Sequence, residues 1–196
     1  MDTTLASYDQ HPAFARNLPL TRAALAFAAE RHAGQRREAD DAPFVMHPIE
    51  VASLLREAGY PDHVIAAGTL HDVIENTDTQ SGDLANRFGP KVALLVTAVS
   101  EDPSIEDDGE RKAELRSQVA RAGDEAVAIF AADKISKTHE LRLRGSRERL
   151  DPGNLSKLGH YEASLDMLVE LIPDHDFVRR LRLELEAVHA LPQGGV

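Results

Sequence analysis

Almost every stretch of this chain spaces its apolar residues three and four apart, and none alternates apolar with polar at period two. The segments "LTRAALAFAAERHAG" (20–34), "HPIEVASLLREAG" (47–59) and "PDHVIAAGTLHDVIENT" (61–77) all carry the helical period. Gly34 and Gly59 stop the first two, and Pro48 and Pro61 stand at helix entries, where a missing N–H costs nothing. "QSGDLANRFG" is a short helix closed by Gly89, and "PKVALLVTAVS" (90–100), the most apolar run, is expected as a central buried helix. Segments 110–123, 124–142, 155–172 and 173–190 continue the pattern, with a polar loop at 35–46, an acidic loop at 101–109 and an arginine-rich loop after residue 142. The expectation is all-α: a helical bundle of about eight or nine helices, with residues 1–19 as an N-terminal arm and 20–196 as a single domain.

Composition narrows the function classes. At 196 residues the chain can bury one sizeable core. It has no cysteine, which excludes a disulfide scaffold, a thiol nucleophile and thiolate zinc sites, and which fits a reducing, cytoplasmic setting. A formal charge of −11 disfavours nucleic acid and anionic membranes as partners. An anionic small molecule would need a local basic cluster and a cation. No apolar run approaches the roughly 20 residues of a membrane span. The start, "MDTTLASYDQHPAFARNLP", lacks the basic head and apolar core of a signal peptide. The arm at 1–19 and the segment 173–196 are candidates to pack on a second copy of the chain.

Three polar features sit where apolar residues are expected: His47 in "FVMHPIEV", His71 and Asp72 in "VIAAGTLHDVI", and Asp133 in "AVAIFAADKI". A carboxylate in such a run is costly to bury unless it is paired or bound to a cation. Adjacent residues on a helix point about 100° apart, so His71 and Asp72 could flank one ion. Two histidines and two aspartates give a nitrogen–oxygen shell suited to Mn²⁺, Fe²⁺, Zn²⁺ or Mg²⁺.

The ordered set "FAAERHAGQRR", "APFVMHPIEVASLLREAG", "AAGTLHDVIENTDT", "LANRFGPKVALLVTAVS", "ERK" and "AADK" resembles the HD superfamily of metal-dependent phosphohydrolases. More narrowly it is similar to the hydrolase domain of the RelA/SpoT family and its stand-alone small alarmone hydrolases, over about residues 24–140. The resemblance implies one Mn²⁺ held by His47, His71, Asp72 and Asp133. It implies removal of the 3′-pyrophosphate from guanosine tetra- and pentaphosphate (ppGpp and pppGpp) by a stand-alone hydrolase with no synthetase domain. The two residues that orient or deprotonate the attacking water in that family, typically Glu-Asp, fall here on Glu75 and Asn76. Asn76 can hydrogen-bond but cannot take a proton. Lys137 stands where that family has an asparagine at the ribose, and Phe44 where it has tyrosine. Substrate contacts are expected from Arg37, Lys134, Lys137, Lys157 and Tyr161, with Arg36, Arg111 and Lys112 as further basic groups. His32 is expected to be structural, and His63, His139, His160, His175 and His189 to lie on the surface or at helix ends. The substitutions at 76 and 137 leave two alternatives: action on another nucleotide phosphoester, or a weakened domain that binds metal or nucleotide.

Overall fold

The computed structural model describes residues 12–144 and 151–190. The described chain is helical, with one isolated bridge, Arg36 to Pro43, inside the 35–46 loop. In order it forms α1 (Pro19–Arg31), α2 (Met46–Glu57), α3 (Asp62–Leu70), a four-residue turn α4 (Val73–Asn76), α5 (Ser81–Phe88) and α6 (Pro90–Ala98). There follow α7 (Asp108–Ala122), α8 (Asp124–Leu143), α9 (Pro152–Leu171) and α10 (Asp176–Ala190). The all-α expectation is met. Most of the expected arm (1–11), most of the arginine-rich loop (145–150) and the tail (191–196) lie outside the described residues. From residue 13 the chain is already packed: Ala15 is buried, and Phe14 and Leu18 lie against the core.

Two helices form the centre. Every α3 residue from Val64 to Leu70 is buried, as is every α8 residue from Ala126 to Ser136. Helix α3 packs against α1, α2, α6 and α8, while α8 also meets α2, α7, α9 and α10. Small side chains permit this crowding: Ala66, Ala67 and Gly68 on α3, and Ala126, Ala128, Ala131 and Ala132 on α8. Gly68 marks the closest approach, because a Cβ there would lie 2.3 Å from Leu55 Cδ1 on α2.

The structure differs from the sequence reading in two places. Segment 90–100 is not buried all round: α6 packs on α3 and α5, touches α7 and α8, and leaves Leu94 70% exposed. Its run of large apolar residues reports that a face is buried, whereas centrality here follows from the small residues that admit many neighbours. The expected single helix over 61–77 is interrupted. Helix α3 ends at Leu70, and Asp72 adopts φ −92°, ψ −5° before α4 begins. On an unbroken helix adjacent side chains diverge by about 100°. His71 and Asp72 nevertheless meet at one point, with Asp72 Oδ2 3.3 Å from His71 Nε2.

One carboxylate ties the first helix to the centre. Asp62 opens α3, yet its side chain accepts from the backbone N–H groups of Leu20 (3.0 Å) and Thr21 (2.9 Å), and from Thr21 Oγ1 at 2.7 Å. Those are first-turn N–H groups of α1 that have no partner within their own helix, and the N-cap Leu18 supplies no side-chain bond. Asp62 therefore acts as an N-cap delivered from another helix. Replacing Asp62 by Ala should lower unfolding stability by about 0.5–2 kcal/mol, the range for a lost cap, measured by urea denaturation of the two proteins; no change would show that α1 does not depend on this contact.

Candidate metal centre

The polar side chains that the sequence places in apolar runs converge. His47 comes from the first turn of α2, His71 and Asp72 from the α3–α4 break, and Asp133 from mid-α8; all four are buried. His47 Nε2 lies 3.1 Å from His71 Nε2. Asp133 Oδ1 is 3.2 Å from His47 Nε2 and 3.3 Å from His71 Nε2, and Asp72 Oδ2 is 3.4 and 3.3 Å from the same two nitrogens. One ligand atom each from His47, His71 and Asp133 lie within 4.8 Å of one another. Donors about 2.1 Å from a shared ion stand roughly 3.0–3.5 Å apart in octahedral-cis or tetrahedral arrangements, so these spacings suit a cation.

The hydrogen bonding around the cluster decides what can sit there. His71 Nδ1 is 2.8 Å from the Gly68 carbonyl, which can only accept, so Nδ1 carries the proton and Nε2 presents a lone pair. His47 Nδ1 is 2.9 Å from Ser136 Oγ, and Ser136 Oγ donates to Glu50 Oε2 at 2.8 Å. His47 Nδ1 is therefore also the donor, and His47 Nε2 is left as a second acceptor. Asp72 Oδ2 and Asp133 Oδ1 have no hydrogen-bond partner. Two imidazole Nε2 atoms and two carboxylate oxygens thus face each other, with Lys137 Nζ 3.1 Å from Asp133 Oδ1 at their side, an arrangement that a divalent cation satisfies. A proton competes for the same lone pairs. Burial alone would lower the His71 pKa, but the carboxylates of Asp72 and Asp133 push it up to about 10. Burial raises Asp72, yet the charges of His71 and Lys137 hold it below the usual carboxylate range.

The cluster borders a cavity of about 570 Å³, in the range of small-molecule sites. Its wall carries seven basic residues, Arg36, Arg37, Lys112, Lys134, Lys137, Arg144 and Lys157, against three acids, Glu38, Glu101 and Glu140. In a chain of net charge −11 that is a strong local reversal. Asn76 and Tyr161 also line it. Lys137 Nζ lies 3.1 Å from Asp133 Oδ1 and 3.3 Å from Asp72 Oδ1. Lys134 is buried, 2.7 Å from Asp133 Oδ2, with Nζ 4.6 Å from the centre of the Phe130 ring. Arg37 pairs with Asp40 and lies 3.6 Å from Glu140, while Lys157 reaches Glu38 at 3.2 Å. Arg36 donates to the Asp41 carbonyl and so braces its own loop. Arg111 is committed to Glu101 and Asp108.

Asn76 lines the cavity, and Glu75 lies beside it, bonded to the cavity residue Glu101. Glu75 Oε1 accepts from the Glu101 N–H at 2.7 Å, and partial desolvation with the nearby Asp72 charge raises its pKa above the ordinary glutamate value. The Asn76 carbonyl accepts from Gln35 Nε2, whose own Oε1 is 2.8 Å from His32 Nδ1, so His32 has the structural place expected of it.

The expectation for His160 is overturned. It is buried, lines the cavity and accepts from Arg116 Nη1 at 2.7 Å. Burial, with Lys134, Arg116 and Lys112 nearby, drives its pKa down to about 2, so it is neutral. Sequence reasoning also missed Arg144, Asn154 and Glu140 on the wall. Arg144 pairs with Glu38 from the 35–46 loop, a contact across 106 positions that no local pattern encodes.

Comparison with known proteins agrees with this geometry. The chain is 35% identical over 122 residues to guanosine-3′,5′-bis(diphosphate) 3′-pyrophosphohydrolase MESH1 of Drosophila melanogaster, covering 61% of this chain and 68% of that protein. It is 31% identical over 130 residues to the Aquifex aeolicus guanosine-3′,5′-bis(diphosphate) 3′-pyrophosphohydrolase, covering 66% of this chain but 18% of that much longer protein. Among solved structures, one described as a metazoan ortholog of SpoT that hydrolyzes ppGpp superposes with a TM-score of 0.73 at 27% identity, over 91% of this chain and 96% of that one. The HD-domain family model matches residues 24–150, a span that holds all four converging side chains, and the chain belongs to the HD-domain family.

Proposed function

We propose that this chain is a metal-dependent hydrolase that removes the 3′-pyrophosphate of ppGpp and pppGpp. The observation that carries the reading is the cluster of His47, His71, Asp72 and Asp133 at the edge of a basic cavity, in a chain about a third identical to proteins named for that activity. We assign Mn²⁺ as the ion: the shell is two nitrogens and two oxygens without sulfur, which suits harder divalent metals. When bound, such an ion lowers the pKa of a water and neutralises charge on a phosphoryl group.

The remaining work falls to the protein. The basic wall draws in and orients a polyanionic nucleotide, with Arg37, Lys134, Lys137 and Lys157 as its contacts and Tyr161 as a packing surface. Glu75, with its raised pKa and its place beside Asp72, accepts the water's proton. Asn76 holds that water by a hydrogen bond but takes no proton. The cysteine-free chain has no helix long and apolar enough to cross a membrane among its described residues, and it fits a cytoplasmic enzyme with a nucleotide substrate.

Purified protein supplied with Mn²⁺ should release pyrophosphate from ppGpp, and His71→Ala should abolish both Mn²⁺ binding and turnover. Cleavage of a different nucleotide from a panel, with ppGpp untouched, would move the substrate elsewhere within the family. If Asn76 limits the rate, Asn76→Asp should raise kcat by about 100-fold, the lower end of the range for general-base help; an active wild type unaffected by the change would show that Glu75 suffices. Ser136→Ala, which removes the group that fixes the His47 tautomer, should weaken Mn²⁺ binding about 10–100-fold as read by calorimetry. Unchanged affinity would show that Glu140, 3.4 Å from His47 Nδ1, takes over that role.

A further inference from the structure

Lys137 is placed differently from the other cations of the cavity. Asp133 divides its oxygens: Oδ2 faces Lys134, and Oδ1 faces both histidine Nε2 atoms and Lys137. Asp72 divides likewise, with Oδ2 toward the histidines and Oδ1 toward Lys137 at 3.3 Å. The Lys137 ammonium thus bridges both carboxylates of the metal cluster. Its side chain is 30% exposed and lines the cavity, whereas that of Lys134 is 6% exposed and held over Phe130. Lys134 is fixed, while Lys137 stands on a flexible four-carbon stem with open space beside it.

We infer that Lys137 is a tethered counter-ion: it neutralises Asp72 and Asp133 when no metal is bound, yields when the divalent ion arrives, and then serves as a contact for a phosphate of the substrate. The physical basis is competition for the same charge. Two buried carboxylates strongly favour a cation, and the ammonium supplies one from within the chain. A divalent ion on the histidine-facing oxygens reduces what those carboxylates offer Lys137 and repels it at short range. The accessible direction for the released ammonium is the cavity, where an anionic ligand would meet it. The site would then bind metal less tightly than its four ligands alone allow, and would gain a positive charge facing the substrate in exchange. The phosphate step rests on the function proposed above; the competition with metal does not.

Lys137→Met keeps most of the stem and removes the charge, and Lys137→Asn removes both. Calorimetric titration with Mn²⁺ alone should show affinity tightening about tenfold in both variants, of the size outer-shell groups exert on bound metals. The metal-free variants should melt below the wild type, because Asp72 loses its lysine and Asp133 keeps only Lys134, and the Mn²⁺-induced rise in Tm should be larger. Turnover should show KM for ppGpp raised about tenfold. Equal or weaker Mn²⁺ affinity in both variants would overturn the competition. Tighter Mn²⁺ binding with an unchanged KM would overturn the transfer to phosphate. A wild type that binds Mn²⁺ but leaves ppGpp intact would overturn the substrate reading instead, and the Mn²⁺ titrations would still decide the role of Lys137.

Discussion

Two imidazole nitrogens and two carboxylate oxygens held close together in the interior are the constraint on which this structure depends. Burying an unpaired carboxylate costs several kcal/mol, and here Asp72 and Asp133 are both buried beside two imidazoles, with Lys134 and Lys137 as their cationic partners. Only precise packing of α2, α3 and α8 keeps such a group together. That packing sets small residues, the alanines of α3 and α8 and Gly68, against large ones such as Leu55 and Phe130. The backbone departs from regular helix at this same point, where Asp72 takes φ −92°, ψ −5° between α3 and α4.

Charge is organised around this point in layers. The histidines are held from behind by a carbonyl and by a serine–glutamate pair. The carboxylates are held at their sides by Lys134 and Lys137. Beyond them lies a wall in which Arg37, Arg144 and Lys157 are each paired with an acid, Asp40 or Glu38, that is itself near the surface. Pairs of that kind contribute little to stability, so an incoming anion can exchange with their carboxylates at modest cost. The positive field of the cavity is therefore available to a ligand without leaving a cluster of bare like charges in its absence.

Much of this was legible in the sequence. His47, His71, Asp72 and Asp133 could be picked out because each interrupts an apolar helical run, and a polar residue there needs a partner. Helix starts and stops were readable from Gly34, Gly59, Pro48 and Pro61, whose conformational demands are local; Gly34 and Gly59 indeed sit at φ of 81° and 84°. The rest depends on distance in the chain. Ser136 and His47 are 89 positions apart, and His160 becomes a cavity residue only because α9 lies against α8. Helix α6 looked central from its leucines and valines, yet the centre belongs to helices rich in alanine, since hydrophobicity counts what each side chain loses from water and not how many neighbours it admits.

Gly68 joins two of these levels. It lets α2 approach α3 closely enough that Leu55 occupies the space a Cβ would need, and its carbonyl fixes the proton on His71. The residue touches neither ion nor nucleotide, yet helix spacing and ligand orientation meet in its few atoms. In a mutational survey scored by activity it would rank with the chemistry, and in one scored by folding it would rank with the core. Any side chain at position 68 would therefore displace Leu55, and the displacement would be felt at the ligand that Gly68 orients.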